Sequence, residues 1–219
     1  MARELAIVLA NGSLQSTVAC ALASQKHRPV LIFIETEPNS GRQGQAFDAL
    51  VQQVKPYRSH RVPMHFLASP GKDARPETQA DPRSVDGAVA RLVDLMPIVG
   101  CGLRYAMQYN AVALYLGTRA GPDGPDLARA TEFVQIWSEM VQLTCERPGL
   151  EVLAPLLEME PWQVVDLGAQ VSAPLALSWS CEKRAGDPCG ECAGCRQRDA
   201  AFQRSGRPDP VKVPTKSAI

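Results

Sequence analysis

The sequence predicts an α/β fold of three layers (α/β/α), in which a mostly parallel, twisted sheet lies between helices. Short continuous apolar runs, typical of strands buried on both faces of a parallel sheet, alternate along the chain with stretches that carry apolar residues at helical spacing. Such alternation predicts a parallel sheet covered by helices on both sides. Near the C-terminus, four of the seven cysteines fall within fifteen residues and predict a separate metal-binding segment.

The first unit of this pattern is strand, tight loop and helix. Residues 5–10 form a continuous apolar run and predict the first strand. The run ends in Asn11, Gly12 and Ser13, a cluster that favours a turn. A helix rich in small and apolar residues follows up to residue 24, and Ser13 or Ser16 can cap its N-terminus.

The same alternation continues along the chain. Residues 59–66 predict a third strand, and Pro63 places it at an edge of the sheet. A helix over residues 85–96 ends at the break Gly100-Cys101-Gly102, after which a second helix is expected. The remaining predictions are strands at 30–34, 111–116 and 152–154, helices at 45–54, 103–109 and 162–167, a loop at 121–126, and a helix from there to about residue 144.

Composition limits the organisation and the partners of the chain. With 219 residues, 45% of them hydrophobic, we expect one nucleotide-binding α/β domain over 1–175, a metal-binding segment over 176–205 packed on the same domain, and a tail over 206–219.

Because 23 basic residues balance 23 acidic ones, charge does not favour a nucleic-acid or membrane partner, and Arg196, Arg198 and Arg204 are expected on a solvated helix face. The sequence shows no run of roughly 18 apolar residues and no secretory leader, which predicts a cytoplasmic protein.

A candidate ligand site follows from the predicted topology. In open parallel sheets, ligands bind outside the carboxyl ends of the strands, where the strand order reverses. The simpler alternatives are a loop selected for packing and, at Arg119, a solvated charge; catalytic residues stay unassigned, because no Ser/His/Asp grouping or carboxylate pair stands out. The candidate cofactor-binding residues are Asn11, Gly12, Ser13, Gln15, Ser16, Gly117, Thr118 and Arg119.

The cysteine cluster has the spacing of a tetrahedral metal site. Cys181, Cys189, Cys192 and Cys195 are separated by seven, two and two residues, and short separations let thiolates converge on one ion. Four sulfur ligands close the coordination shell and predict a structural zinc ion. The alternatives are an iron–sulfur cluster, whose bacterial ferredoxin spacing differs from this one, two disulfides, which suit an oxidising compartment, and reactive thiols.

Two segments together resemble the 7-cyano-7-deazaguanine synthases of queuosine biosynthesis. They are the loop 11–16 and the stretch from Trp179 through the four cysteines to Phe202. The resemblance implies the PP-loop, adenine-nucleotide α-hydrolase-like (HUP, Rossmann-like) fold and a structural zinc. It also implies an ATP- and magnesium-dependent reaction in which the carboxylate of 7-carboxy-7-deazaguanine is adenylated, converted to an amide by ammonia and dehydrated to a nitrile. Members of this family are often homodimers.

The loop departs from the family pattern Ser-Gly-Gly-x-Asp-Ser. Asn11, Ser13 and Gln15 replace the first serine, the second glycine and the aspartate, so that only Gly12 and Ser16 match. Gln15 is neutral and supplies no charge to magnesium. A synthase-like enzyme that acts on a deazapurine is therefore one hypothesis. The others are a catalytically inactive zinc-containing homologue that binds a nucleotide, a deazapurine or a protein, and a zinc-stabilised interaction module without a small-molecule site.

Overall fold

The computed structural model describes residues 3–36, 41–67, 92–122, 125–144, 149–182 and 187–211. Five strands lie in these ranges: β1 Leu5–Leu9, β2 Arg28–Glu35, β3 Arg58–Pro63, β4 Ala113–Leu116 and β5 Glu151–Leu153. The α-helices of the same ranges are α1 Leu14–Lys26, α2 Gly41–Val54, α3 Leu92–Tyr109, α4 Pro125–Thr144, α5 Pro161–Gln170 and α6 Ala193–Ser205.

The five strands form one parallel sheet in the order β3-β2-β1-β4-β5. The chain moves outward from β1 through β2 to β3 and then returns to place β4 on the other side of β1. The strand order therefore reverses between β1 and β4, which is the point where open α/β sheets bind ligands. The predicted α/β class, with a parallel sheet between helices, is confirmed.

Helices cover both faces of the sheet, because alternate residues of each buried strand point to opposite sides. On one side Val8 and Phe33 pack with residues of α1 and α2, including Cys20 and Phe47. On the other side Ile7 packs with residues of α3 and α4. Cys20 is fully buried, and burial raises the pKa of its thiol to about 12, as expected for a core cysteine.

Two sequence predictions about element bounds are wrong. Helix α3 continues through Gly100 and Gly102, where the sequence predicts a break. The glycine at 102 allows the helix to pack closely on the sheet, because a Cβ there would come within 2.8 Å of Leu114 Cδ1. The third strand occupies the predicted edge but ends at Pro63, and the side chain of Phe66 is 74% exposed in a short 3-10 turn. The part of the helix predicted before residue 92 lies outside the described residues.

Among the described residues, no helix has the length and apolar character needed to span a membrane.

Candidate functional site

The loop between β1 and α1 lies at the carboxyl end of the central strand. Ser13 caps α1, since its Oγ accepts a hydrogen bond from the backbone N–H of Ser16 at 3.2 Å. Asn11 braces the loop from the other side, because its Oδ1 accepts from the N–H of Ser13 at 3.1 Å. The Ser16 hydroxyl donates to the Ser13 carbonyl at 3.2 Å. The N-terminus of α1, which carries partial positive charge, is thus fixed at the point where the strand order reverses.

Gly12 adopts a backbone conformation and a packing position that other residues cannot share. Its φ of 75° lies in the left-handed region, and a Cβ would approach the Gln43 carbonyl oxygen to 2.7 Å. Its own carbonyl accepts a hydrogen bond from the N–H of Trp179 at 2.8 Å. The loop is therefore held between α2 on one side and, on the other, Trp179 at the start of residues 179–195, here called the cysteine segment.

The loop after β4 lies directly against the start of α1. A Cβ on Gly117 would come within 2.9 Å of the backbone nitrogen of Ser16. Arg119 is only 2% exposed, and its Nη1 donates to the Met159 carbonyl at 3.0 Å. The alternative that Arg119 is a solvated charge is thereby excluded, because this guanidinium is buried beside the β1–α1 loop.

A cavity of about 360 Å³, here called the first cavity, opens at the carboxyl ends of β1, β2 and β4. One wall is aliphatic and comes from the strands and from α3, and it includes Leu9, Ile32, Ile34 and Val99. Among the described residues that line this cavity none is a carboxylate, and Arg119 supplies a positive charge. Seven of the eight predicted site residues line it, all except Gly12: Asn11, Ser13, Gln15, Ser16, Gly117, Thr118 and Arg119.

A second cavity of about 240 Å³ adjoins the first. Ser13, Gln15, Gln43 and Arg119 line both cavities and form their common wall. The remaining lining comes from α1, the cysteine segment, α5 and α6, and includes Ser180, Glu182, Gln197 and Arg198. Sequence reasoning missed this cavity, because its lining residues are far apart along the chain.

The four cysteines converge as their spacing predicts. Their sulfur atoms all lie within 4.8 Å of one another. The Cys189 and Cys195 sulfurs are 3.9 Å apart, and those of Cys181 and Cys192 are 4.0 Å apart. Because metal–sulfur bonds of roughly 2.3 Å in a tetrahedron place sulfurs about 3.8 Å apart, this geometry fits one four-coordinate metal ion.

Backbone N–H groups surround the cysteine sulfurs. The N–H groups of Glu191 and Cys192 point at the Cys189 sulfur from 3.5 and 3.4 Å, and they lower the pKa of that thiol to about 6. Burial has the opposite effect on Cys195, whose pKa rises to about 12. A cation at the centre would stabilise the thiolate form of all four cysteines, so the residues present fit a bound metal ion.

Arg198 on α6 is buried, which corrects the prediction that it lies on a solvated face. Its Nε and Nη2 donate to the two carboxylate oxygens of Asp209 at 2.7 and 2.8 Å, and its Nη1 donates to Ser178 Oγ at 2.8 Å. Its guanidinium also lies over the Phe202 ring, with the carbon 5.0 Å from the ring centroid. Asp209 lies in the tail predicted over 206–219. The domain boundaries at residues 175 and 205 stay a prediction.

Comparison with known proteins is consistent with this arrangement. Residues 5–206 match the family described as Queuosine biosynthesis protein QueC. Over 222 residues the chain is 25% identical to the 7-cyano-7-deazaguanine synthase of Aliarcobacter butzleri, with 94% of each chain covered. It is 28% identical over 223 residues to the enzyme of that name from Synechococcus sp. strain CC9902, covering 95% of this chain and 97% of that one. A shorter match, 35% identical over 85 residues, covers 38% of this chain and 37% of the Chlorobium chlorochromatii enzyme. The chain belongs to the QueC family.

Proposed function

We propose that the chain is a 7-cyano-7-deazaguanine synthase-like protein, which uses ATP to activate a deazapurine carboxylate for amidation and nitrile formation. One observation carries this proposal. The first cavity combines an aliphatic wall with the capped N-terminus of α1 and the buried Arg119, at the switch point of the sheet. An apolar wall suits a planar base, and a helix N-terminus with an arginine suits phosphate.

The residues of this chain would bind and orient the reactants. The aliphatic side chains of β1, β2 and α3 would cover the adenine and keep water away from it. Ser13, Ser16 and the backbone of the β1–α1 loop would hold the phosphates, with Arg119 placed to offset their negative charge. Gln15 and Gln43, which lie on the common wall of the two cavities, would orient the deazapurine carboxylate that accepts the adenylyl group.

Magnesium does not fit the described lining of the first cavity. Magnesium prefers carboxylate and phosphate oxygens, and no described residue of this lining is acidic. Glu35, an acidic residue at the end of β2, does not line this cavity and pairs with Arg61 at 2.7 Å. We therefore assign no step to a protein-bound magnesium ion.

We assign the metal at the four cysteines as zinc with a structural role. Four sulfur ligands leave no open position for a substrate or water, so zinc here would hold the C-terminal segment together. The support is the convergence of the four sulfurs and the family match. Metal analysis of purified protein tests this assignment: stoichiometric zinc is expected, whereas brown protein with iron and sulfide would contradict it.

A second candidate function is a catalytically inactive homologue that keeps the fold and the metal site and binds a nucleotide, a deazapurine or a protein. The observation that favours it is Gln15, a neutral residue on the common wall of the cavities where the family pattern has an acid. The two candidates share the fold and the metal site and differ in turnover.

Turnover separates the two candidates. Purified metal-loaded protein is incubated with ATP, magnesium, ammonium and 7-carboxy-7-deazaguanine. Pyrophosphate exchange into ATP and nitrile formation, followed by mass spectrometry, are the expected results for a synthase-like enzyme. Arg119→Met should abolish exchange, and Arg119→Lys should retain part of it. Arg129→Met, at an exposed position of α4, is the matched control. Nucleotide binding without exchange in native protein would favour the inactive homologue.

The partners of the chain stay proposals. We propose a small-molecule nucleotide or deazapurine as the ligand, a homodimer as the assembly, and no nucleic-acid or membrane partner. Light scattering coupled to gel filtration tests the dimer, and a mass equal to one chain at micromolar concentration would contradict it.

A further inference from the structure

The second cavity has no assigned ligand. It lies beside the first cavity, and the two share Ser13, Gln15, Gln43 and Arg119. We propose that the second cavity binds the deazapurine whose carboxylate accepts the adenylyl group. Glu182 selects the guanine-like edge of this ligand, in which a ring N–H stands beside an exocyclic amino group. This inference rests on the proposed function, because it places the deazapurine of that reaction.

The arrangement of the two cavities favours two ligands that meet at the common wall. The first cavity reaches away from this wall toward aliphatic side chains of the strands and α3, while the second reaches toward polar side chains of α6 and the cysteine segment. The apolar face of an adenine base suits the aliphatic lining of the first cavity. A ring with several hydrogen-bond donors and acceptors suits the polar lining of the second cavity. Reacting groups of both ligands would then lie next to Gln15 and Arg119.

Charge argues against a phosphate tail in the second cavity. Arg119 lies on the common wall with the first cavity, whereas Glu182, away from that wall, contributes a carboxylate, which repels phosphate. Arg198 does not offset it, because its guanidinium is engaged by Asp209, by Ser178 and by the Leu175 carbonyl. The described lining therefore suits an uncharged polar edge better than a polyphosphate.

Glu182 is an exposed residue, and hydrogen bonds with Gly194 and Cys192 hold it in place. Its Oε1 accepts a hydrogen bond from the N–H of Gly194 at 2.9 Å, and its own N–H points at the Cys192 sulfur from 3.4 Å. A fixed carboxylate accepts two parallel N–H donors, as it does from a guanidinium, and a guanine-like edge presents such a pair. Gln197 and Ser180, which also line this cavity, supply further donors and acceptors.

Calorimetric titration of metal-loaded protein with 7-carboxy-7-deazaguanine tests the proposal. Glu182→Gln keeps an oxygen for the Gly194 N–H but loses the charged acceptor, so affinity should fall about tenfold or more while AMP affinity is unchanged. The control Glu158→Gln removes an exposed carboxylate that lines neither cavity, and it should bind like native protein. Metal content and thermal midpoint are measured for each variant to show that the fold is kept.

A second ligand and a competition experiment complete the test. The analogue without the amino group should bind native protein more weakly, and Glu182→Gln should discriminate less between the two compounds. The deazapurine should also bind when AMP is saturating. Displacement of the deazapurine by AMP, or equal affinity in native protein and Glu182→Gln, would overturn the inference and leave the proposed function standing. Deazapurine binding without any AMP or ATP binding would keep the subsite and contradict the proposed function.

Discussion

The β1–α1 loop and the cysteine segment lie against each other but are held in shape by different means. The loop is fixed by its own hydrogen bonds, by Gly12 packed on α2, and by the bond from Trp179. The cysteine segment is held by few apolar contacts and by four sulfurs that converge on one point. The shape of the loop therefore depends on contacts of Asn11, Gly12 and Ser13, whereas we expect the cysteine segment to need each metal ligand to stay folded.

The largest expected effect comes from a substitution that breaks the metal site. Cys195→Ala removes one of four ligands from a site whose apparent binding energy in small zinc domains is about 10–16 kcal/mol. We expect loss of bound metal and a thermal midpoint lower by about 10 °C or more, measured by elemental analysis and calorimetry. Cys101→Ala, at a half-buried thiol on α3, is the control and should change the midpoint little. Full metal content in Cys195→Ala would contradict the four-ligand site.

The next effect concerns the arginine that supports the cysteine segment from α6. Arg198→Met leaves the Asp209 carboxylate, 14% exposed, without its partner, and should lower the free energy of unfolding by about 3–5 kcal/mol. The control is Arg207→Met, because the side chains of the Arg207–Asp166 pair are 46% and 29% exposed and the pair should contribute about 0–1 kcal/mol. Urea denaturation measures both, and equal losses would show that the burial of Arg198 carries no extra stability.

Gly12→Ala tests the backbone of the loop. The left-handed φ costs an alanine about 1–2 kcal/mol, and contact with the Gln43 carbonyl adds to that cost. Gly206→Ala has a similar φ of 67° with no atom within 4 Å of the added Cβ, so it isolates the conformational cost. We expect Gly12→Ala to lose more stability than Gly206→Ala and to lose AMP binding as well. Equal stability losses would contradict the close packing of the loop.

The smallest effect concerns charge in the loop. Gln15→Asp introduces a carboxylate on the wall of the first cavity, where it can bind magnesium together with phosphate. We expect magnesium to strengthen ATP binding about tenfold in this variant and less in native protein, as measured by calorimetry. Gln45→Asp, on the exposed side of α2, is the control for charge alone. A native protein with the same magnesium dependence as Gln15→Asp would show that another group supplies the acid.

Local patterns in the sequence predict much of the fold and both candidate sites. The strands are recognisable because each is a short apolar run, and the cysteines because their spacing is local. Contacts between distant segments could not be predicted in this way. The burial of Arg198 depends on Asp209 and Ser178, and the shape of the loop depends on Trp179, more than 160 residues away in the chain. Likewise, Gly102 looks like a helix break until Leu114 is seen beside it.

The central claim is that the β1–α1 loop and the first cavity bind an adenine nucleotide without an acid from the loop. Calorimetric titration of AMP into native, Gly12→Ala and Arg119→Met protein, in magnesium-free buffer, tests it most directly. The account predicts one-to-one binding to native protein, and binding weakened about tenfold or more in both variants while Arg129→Met binds like native. Absence of binding to native protein, or an affinity equal to that of native protein in Gly12→Ala and Arg119→Met, would contradict the claim.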